Sequence, residues 1–198
     1  MDLLDLDGEA LYFDEPLTSD VQALIDESSA HYRTCTPDDQ DGEAVERVSV
    51  DAAEWPLLRA FLKAPEQLAV IVALYRFFYY RQRYPEALAM ADRAIVLSCR
   101  QLALPEDWRA IDKASLEAAA QRSMTTTRFL LLALKGAAWL LLRQQQPQAA
   151  LERLAPIIAF DSEDRLRASD LQRWAEKALL RAQVDAAGDN VHLLGDRR

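Results

Sequence analysis

Apolar residues between Pro65 and Cys99 recur at three- and four-residue intervals, in two runs separated by a short polar break ahead of Pro85. In the first run Leu68, Ile71, Leu74, Tyr75 and Phe78 share one helical face, with Val70, Ala73 and Phe77 on its flank. An apolar surface that wide calls for neighbours on several sides. Pro85 suits the first turn of a second helix, where its missing amide would go unpaired anyway. Leu88, Ala91, Ile95, Cys99 and Leu102 form the buried stripe of that helix, and Ala87, Ala91 and Ala94 let its neighbour approach closely. The pattern predicts an antiparallel helical hairpin.

A hairpin of this kind cannot cover its own apolar faces and must stack on others. Leu74, Phe78, Tyr84, Ala87 and Ala94 resemble the helix-packing positions of a tetratricopeptide repeat, while Tyr75 departs from the small residue usual there. A second hairpin is expected from Arg128 to Gln145 and from Pro147 to Phe160, with Ala150 in the place of Ala87 and FDSED closing the unit. The expected fold is all-α: a tetratricopeptide-like stack of helical hairpins with an acidic N-terminal arm and a C-terminal capping helix. Gly136 interrupts a helix at a cost of about 1 kcal/mol against Ala, which points to a close helix contact there.

Around this centre the chain reads in order as follows. Residues 1–17 mix carboxylates with Leu3, Leu4, Leu6, Leu11, Tyr12 and Phe13 and show no long helical period. They read as an arm lying on the body, or as a recognition segment for a partner. Thr18 or Ser19 caps a first helix, with Gln22 placed for a capping box and Val21, Leu24, Ile25 and Ser28 facing inward. TCTPDDQDGE follows as an acidic loop that lacks the ligand pattern of an EF-hand. The next helix is expected to start at Asp51 to Glu54, with Trp55 and Pro56 in its first turns; Ala44 to Val50 fits helix or extended chain. Pro105-Glu106-Asp107 reads as a helix opening, Trp108 as an anchor, and Asp112 to Arg122 as a short helix. A last helix is expected from about Glu163 to Gln183, with Leu171, Trp174, Ala175, Ala178, Leu179 and Ala182 inward and Arg165, Arg173, Lys177 and Arg181 along another face. The expected division is an arm with first helix at 1–50, a helical domain at 51–186 and a frayed tail at 187–198.

Composition narrows the function. Residues 1–50 hold 14 acidic and 2 basic side chains out of 32 and 23 in the whole chain, so an acidic segment precedes a mildly basic body. That argues against nucleic acid as a partner. The longest apolar run, Phe129 to Leu142, includes Lys135 and is too short to span a bilayer. The first fifteen residues are acidic, unlike a signal peptide. Cys35 and Cys99 stand far apart, which fits a reducing, cytoplasmic compartment, and Cys99 on an apolar face reads as a buried inert thiol. His31 and His192 lie near opposite ends, and no HExxH, paired CxxC, GxSxG or phosphate-binding glycine loop occurs. The expectation is no catalysis, no metal and no cofactor.

Binding of another protein is what remains. In the tetratricopeptide frame, the first helix of each hairpin would present Arg76, Tyr79, Tyr80 and Arg83 from one hairpin, and Lys135, Trp139 and Arg143 from the other. Arginine and aromatic side chains are enriched where interfaces carry most of their energy, and basic character suits an acidic ligand segment. The alternative is that the aromatics are core and the arginines a solvated rim. The acidic arm is itself suited to sit there, or on the basic ridge of the last helix, as an internal placeholder.

ALYRFFYYRQRYPEALAMADRAI, LALPEDWR, RFLLLALKGAAWLLLR and FDSEDR together resemble a family of small tetratricopeptide-like proteins encoded with nitrogen-fixation genes. Residues 65–165 carry this resemblance, most specifically Leu104 to Arg109 and Ala133 to Gly136; the first 50 residues lie outside it. Ala137, Trp139 and the Gln144 to Gln146 turn depart from the family pattern. The resemblance implies an accessory factor in nitrogenase assembly, binding a nitrogenase subunit or another maturation factor in the cytoplasm without a cofactor of its own. The competing class is a generic tetratricopeptide chaperone or scaffold, resembling the type III secretion chaperones that hold an extended client.

Overall fold

The computed structural model describes the backbone of residues 16–34 and 42–195, with side chains described within 16–31 and 52–185. Among the described residues every regular element is helical: α1 (Ser19–Thr34), α2 (Gly42–Lys63), α3 (Leu68–Tyr80), α4 (Tyr84–Gln101), α5 (Lys113–Arg122), α6 (Met124–Arg143), α7 (Pro147–Phe160) and α8 (Ala168–Gly195). The acidic arm at 1–15 and most of the TCTPDDQDGE loop lie outside these residues. The chain divides into two compact units, one running to Leu97 and the other from Ser98, with the boundary inside α4.

In the first unit α1 packs on α2, and α2 on α3. Val21 and Leu24 of α1 meet Ala60 of α2 and Val70 of α3, with Leu17, Ile25, Phe61 and Ala64 around them. The expected inner stripe of α1 is thus in place, and Ser28 is buried with it. Its opening differs from the expected capping box. Gln22 donates its amide N–H to the Thr18 carbonyl at 3.0 Å, while its side chain turns to Asp26 at 2.9 Å. Helix α2 begins at Gly42, well ahead of Asp51, and runs through Pro56. A proline inside a helix removes one ladder hydrogen bond. The helix persists there with Ala53, Leu57 and Ala60 buried along one side.

Both helices expected around Pro85 are present, with Leu88 of the expected stripe only half-buried. Leu68, Val70, Ile71, Leu74, Tyr75, Phe77 and Phe78 are buried on α3, and Ala87, Ala91, Ala94, Ile95 and Cys99 on α4. Arg93 of α4 reaches back to Glu66, just ahead of α3, at 3.3 Å. The three-residue turn closes with Arg83 N donating to the Phe78 carbonyl at 2.9 Å, and Gln82 takes φ of 57°. A bond of that span around a left-handed residue is a helix stop that ordinarily uses glycine.

In the second unit α5 packs on α6 and α7, α6 on α7, and α7 on α8. Asp112 caps α5 by accepting from Ser115 N at 2.8 Å, and Ser123 caps α6 by accepting from Thr126 N at 3.3 Å. Leu130, Leu134, Ala137, Ala138 and Leu140 of α6 are fully buried, and Ala150 and Leu154 of α7 are buried as Ala87 and Ala91 of α4 are. The turn between α6 and α7 repeats the earlier one: Gln146 N donates to the Leu141 carbonyl at 2.9 Å, and Gln145 has φ of 59°. Gly136 is buried within α6, and no glycine among the described residues has a positive φ. Its role is therefore the small size of the residue, as expected for a close contact.

Two expected boundaries shift. Pro105-Glu106-Asp107 opens only a 3₁₀ turn, Trp108–Ala110, in which the Asp107 carboxylate accepts from Arg109 N at 3.1 Å. Helix α8 starts at Ala168 because Asp161 accepts the Arg165 and Leu166 amides at 3.1 and 2.7 Å, and Asp164 accepts Ser169 N at 3.1 Å. Two carboxylates thus hold 161–167 as a loop. The backbone of 187–195, read in sequence as a tail, is helical.

Candidate functional site

Each unit carries one of the aromatic and basic groups singled out from the sequence. In the first, Arg76, Tyr79, Tyr80 and Arg83 occupy the last turns of α3 and the turn that follows. Tyr75 and Tyr79 stack with centroids 6.1 Å apart, and Tyr80 meets Tyr79 edge-on at 5.5 Å. Tyr80 is 55% exposed, while Tyr75 is 6% exposed. The buried Tyr75 hydroxyl makes no hydrogen bond, and burial pushes its ionisation well above the usual phenol range. Leaving such a group unpaired costs roughly 1–3 kcal/mol.

Arg83 is held from two sides. Its guanidinium donates to Glu54 of α2 at 2.7 Å and to Glu86 of α4 at 2.9 Å, and it lies 4.6 Å over the Phe78 ring. Partial burial opposes the charge, but the Glu86 and Glu54 hydrogen bonds outweigh it and hold the guanidinium above its ordinary value. In return Arg83 keeps Glu86 below the usual carboxylate range. Arg83 ties three elements of its unit together, whatever else it touches.

In the second unit Lys135, Trp139 and Arg143 follow one another at four-residue spacing along α6. Lys135 is half-buried and donates from Nζ to the Leu166 carbonyl; burial lowers its pKa. That ammonium therefore braces the loop before α8. Trp139 pairs with Trp174 of α8 at 6.1 Å and a 48° tilt, and the Arg143 guanidinium lies 5.9 Å from its ring. The Trp139 indole N–H is buried without a hydrogen bond.

The apolar period places Trp174 in the inner stripe of the last helix, yet it is 51% exposed. Ala168, Leu171 and Ala175 form the buried stripe, and Trp174 falls at its edge. A wheel centred on those three small and aliphatic residues would have found this. Trp108 is buried as expected, between the guanidinium groups of Arg109 at 4.5 Å and Arg153 at 4.4 Å. Cys99 is buried and free of any disulfide; burial, helped by Glu106, pushes its thiol up to about 11. Among the described residues no group of three or more His, Cys, Asp or Glu could hold a metal ion.

Helix α6 is longer than its apolar run, because Met124 to Arg128 add a polar first turn. It is by length and composition apolar enough to cross a membrane, with a mean hydropathy of 1.3, but 61% of that stretch is buried inside the protein. Burial against α5 and α7 accounts for the apolar character.

A 19.8 kDa protein from the nifW 5′ region of Azotobacter chroococcum mcd 1 is 38% identical to this chain over 168 residues, 85% of each protein. This chain belongs to the family of that nifW-region protein. No family model matches it, and no solved structure does. Since 168 of 198 residues match, only thirty lie outside, so the family likeness extends beyond 65–165 and into the first 50 residues. The relative's genomic position supports a link between this family and nitrogen fixation.

Proposed function

We propose that this protein is a non-enzymatic accessory factor of nitrogen fixation, acting in the cytoplasm by binding another protein. Its client is an immature nitrogenase component, held until metal clusters are inserted, and the factor brings no metal or cofactor itself. The observation that carries the reading is the 38% identity to a protein from the nifW 5′ region. The half-exposed aromatics support it: Tyr80 in one unit and Trp174 in the other present large apolar surface beside arginines, the composition that interfaces favour. Arg76, Tyr79, Tyr80 and Arg83 form one candidate contact group. Trp139 and Arg143, with Lys135 along the same helix, form the other.

A second reading, a tetratricopeptide-like chaperone or scaffold for an extended client, is favoured by the matched turns and matched Ala87 and Ala150 of the two hairpins. Purification of the tagged protein from nitrogen-fixing cells separates the two. Recovery of nitrogenase subunits lacking mature clusters is expected. A secreted client, or no partner under those conditions, would overturn the first reading.

A further inference from the structure

Helix α8 has two unlike faces. Ala168, Leu171 and Ala175 are buried, and with 3.6 residues per turn the opposite side is an arc of roughly 120° holding Arg173, Trp174, Lys177, Leu180, Arg181 and Val184. All six are exposed. Three are large apolar side chains: Trp174 at 51%, Leu180 at 61% and Val184 at 61%. An ordinary solvated helix face carries no such group of apolar side chains.

The charges on that arc are not balanced. Arg173 is taken up by Asp170, a half-buried carboxylate within the same arc, and Glu176, off the arc, is engaged by Gln172 at 2.9 Å. Lys177 and Arg181 have no acidic partner among the described residues. The face therefore offers two uncompensated cations one turn apart, flanked by exposed aliphatic and aromatic surface.

We infer that this face of α8 docks an acidic, leucine-type segment of a partner protein, with carboxylates at one-turn spacing meeting Lys177 and Arg181 and aliphatic side chains covering Trp174, Leu180 and Val184. Charge complementarity selects this occupant. Pairing with α8 of a second copy would set the cations of one copy against those of the other, at a cost. A membrane surface would set Asp170, within the arc, and Asp185, at its edge, against the same headgroups, whereas a peptide segment can place its carboxylates at Lys177 and Arg181 alone. The inference rests on the protein-binding reading and adds to it a further surface and the chemistry of the segment that would dock there.

The test uses the full-length chain and a fluorescein-labelled helical peptide with Glu along one edge and Leu along the next. Fluorescence anisotropy should show binding that weakens about ten-fold in the double variant Lys177→Glu/Arg181→Glu, as expected for two reversed ion pairs. A peptide with Lys in place of Glu should recover affinity for that variant. Both positions are exposed, and circular dichroism checks that helix content is unchanged. Equal affinity of parent and variant overturns the inference, as does charge-dependent binding to vesicles of anionic lipid with none to the peptide. A dimer in sedimentation that the variant abolishes, again without peptide binding, also overturns it. Because the peptide assay needs no nitrogen-fixing cell, its failure leaves co-purification of nitrogenase subunits unaffected, and the two claims fail separately.

Discussion

At the scale of single residues, the described ion pairs differ in how much water they see. Glu54 of the Arg83 pair is 17% exposed, whereas Asp20 and Lys63 are 56% and 49% exposed. Exposed pairs contribute little at neutral pH, but they leave a mark on titration. The Lys63 hydrogen bond at 2.6 Å, followed by that of Thr18, lowers the Asp20 carboxyl from 3.8 to about 2. Its folded pKa lies below its unfolded one. The contribution is therefore complete above the ordinary value and is lost as pH falls from about 4 towards 2. Asp20→Asn should lower stability slightly at neutral pH, leave it unchanged near pH 2 and so flatten the acid limb in that window, as urea unfolding at a series of pH values will show.

At the scale of elements, most of what holds the helices was visible in the order of residues. The α3 and α4 stripes, the α5 cap at Asp112 and the bounds of α7 all follow from apolar period and capping chemistry. What the order of residues hid was the start of α2, because Pro56 looked like an opening residue and in fact lies inside the helix. The start of α8 was hidden in a similar way. Asp161 and Asp164 resemble helix-opening acids, but Asp161 accepts the amides of Arg165 and Leu166 in the loop, and only Asp164 reaches the first turn of α8, at Ser169. Local propensity cannot separate these roles, since the same carboxylate serves either. Gly136 is the sharpest test at this scale. It is buried in α6, so Gly136→Leu should overpack the α6 contact and destabilise the protein by about 1–3 kcal/mol. A melting temperature equal to that of the parent would show that the site has room to spare.

For the whole molecule, the sequence supported the all-helical class and the place of both hairpins, because hydrophobic period is a property of each segment alone. The candidate contact residues were only partly legible. Lys135 and Arg83 read as outward-facing basic groups, and folding turned Lys135 to the Leu166 carbonyl and Arg83 to Glu54 and Glu86. Trp174 is apolar and adjoins the buried stripe of α8, so apolar period alone assigns it to the core, while its place at the stripe's edge leaves it half-exposed. The side chains that prefer a partner already inside their own unit are the ones sequence alone assigns poorly.

Two residues beyond the ends of helices α3, α4 and α6 stand Gln82, Ala103 and Gln145, all at φ between 50° and 59°, where a side chain crowds the backbone. The left-handed setting costs a non-glycine residue about 1 kcal/mol, and glycine would return part of that to the freedom of the unfolded chain. Replacing all three by glycine should therefore leave a net gain of about 1 kcal/mol, a rise of about 3 °C in Tm by scanning calorimetry. This chain has kept some of its tolerance to heat in reserve, at three bends of its own backbone.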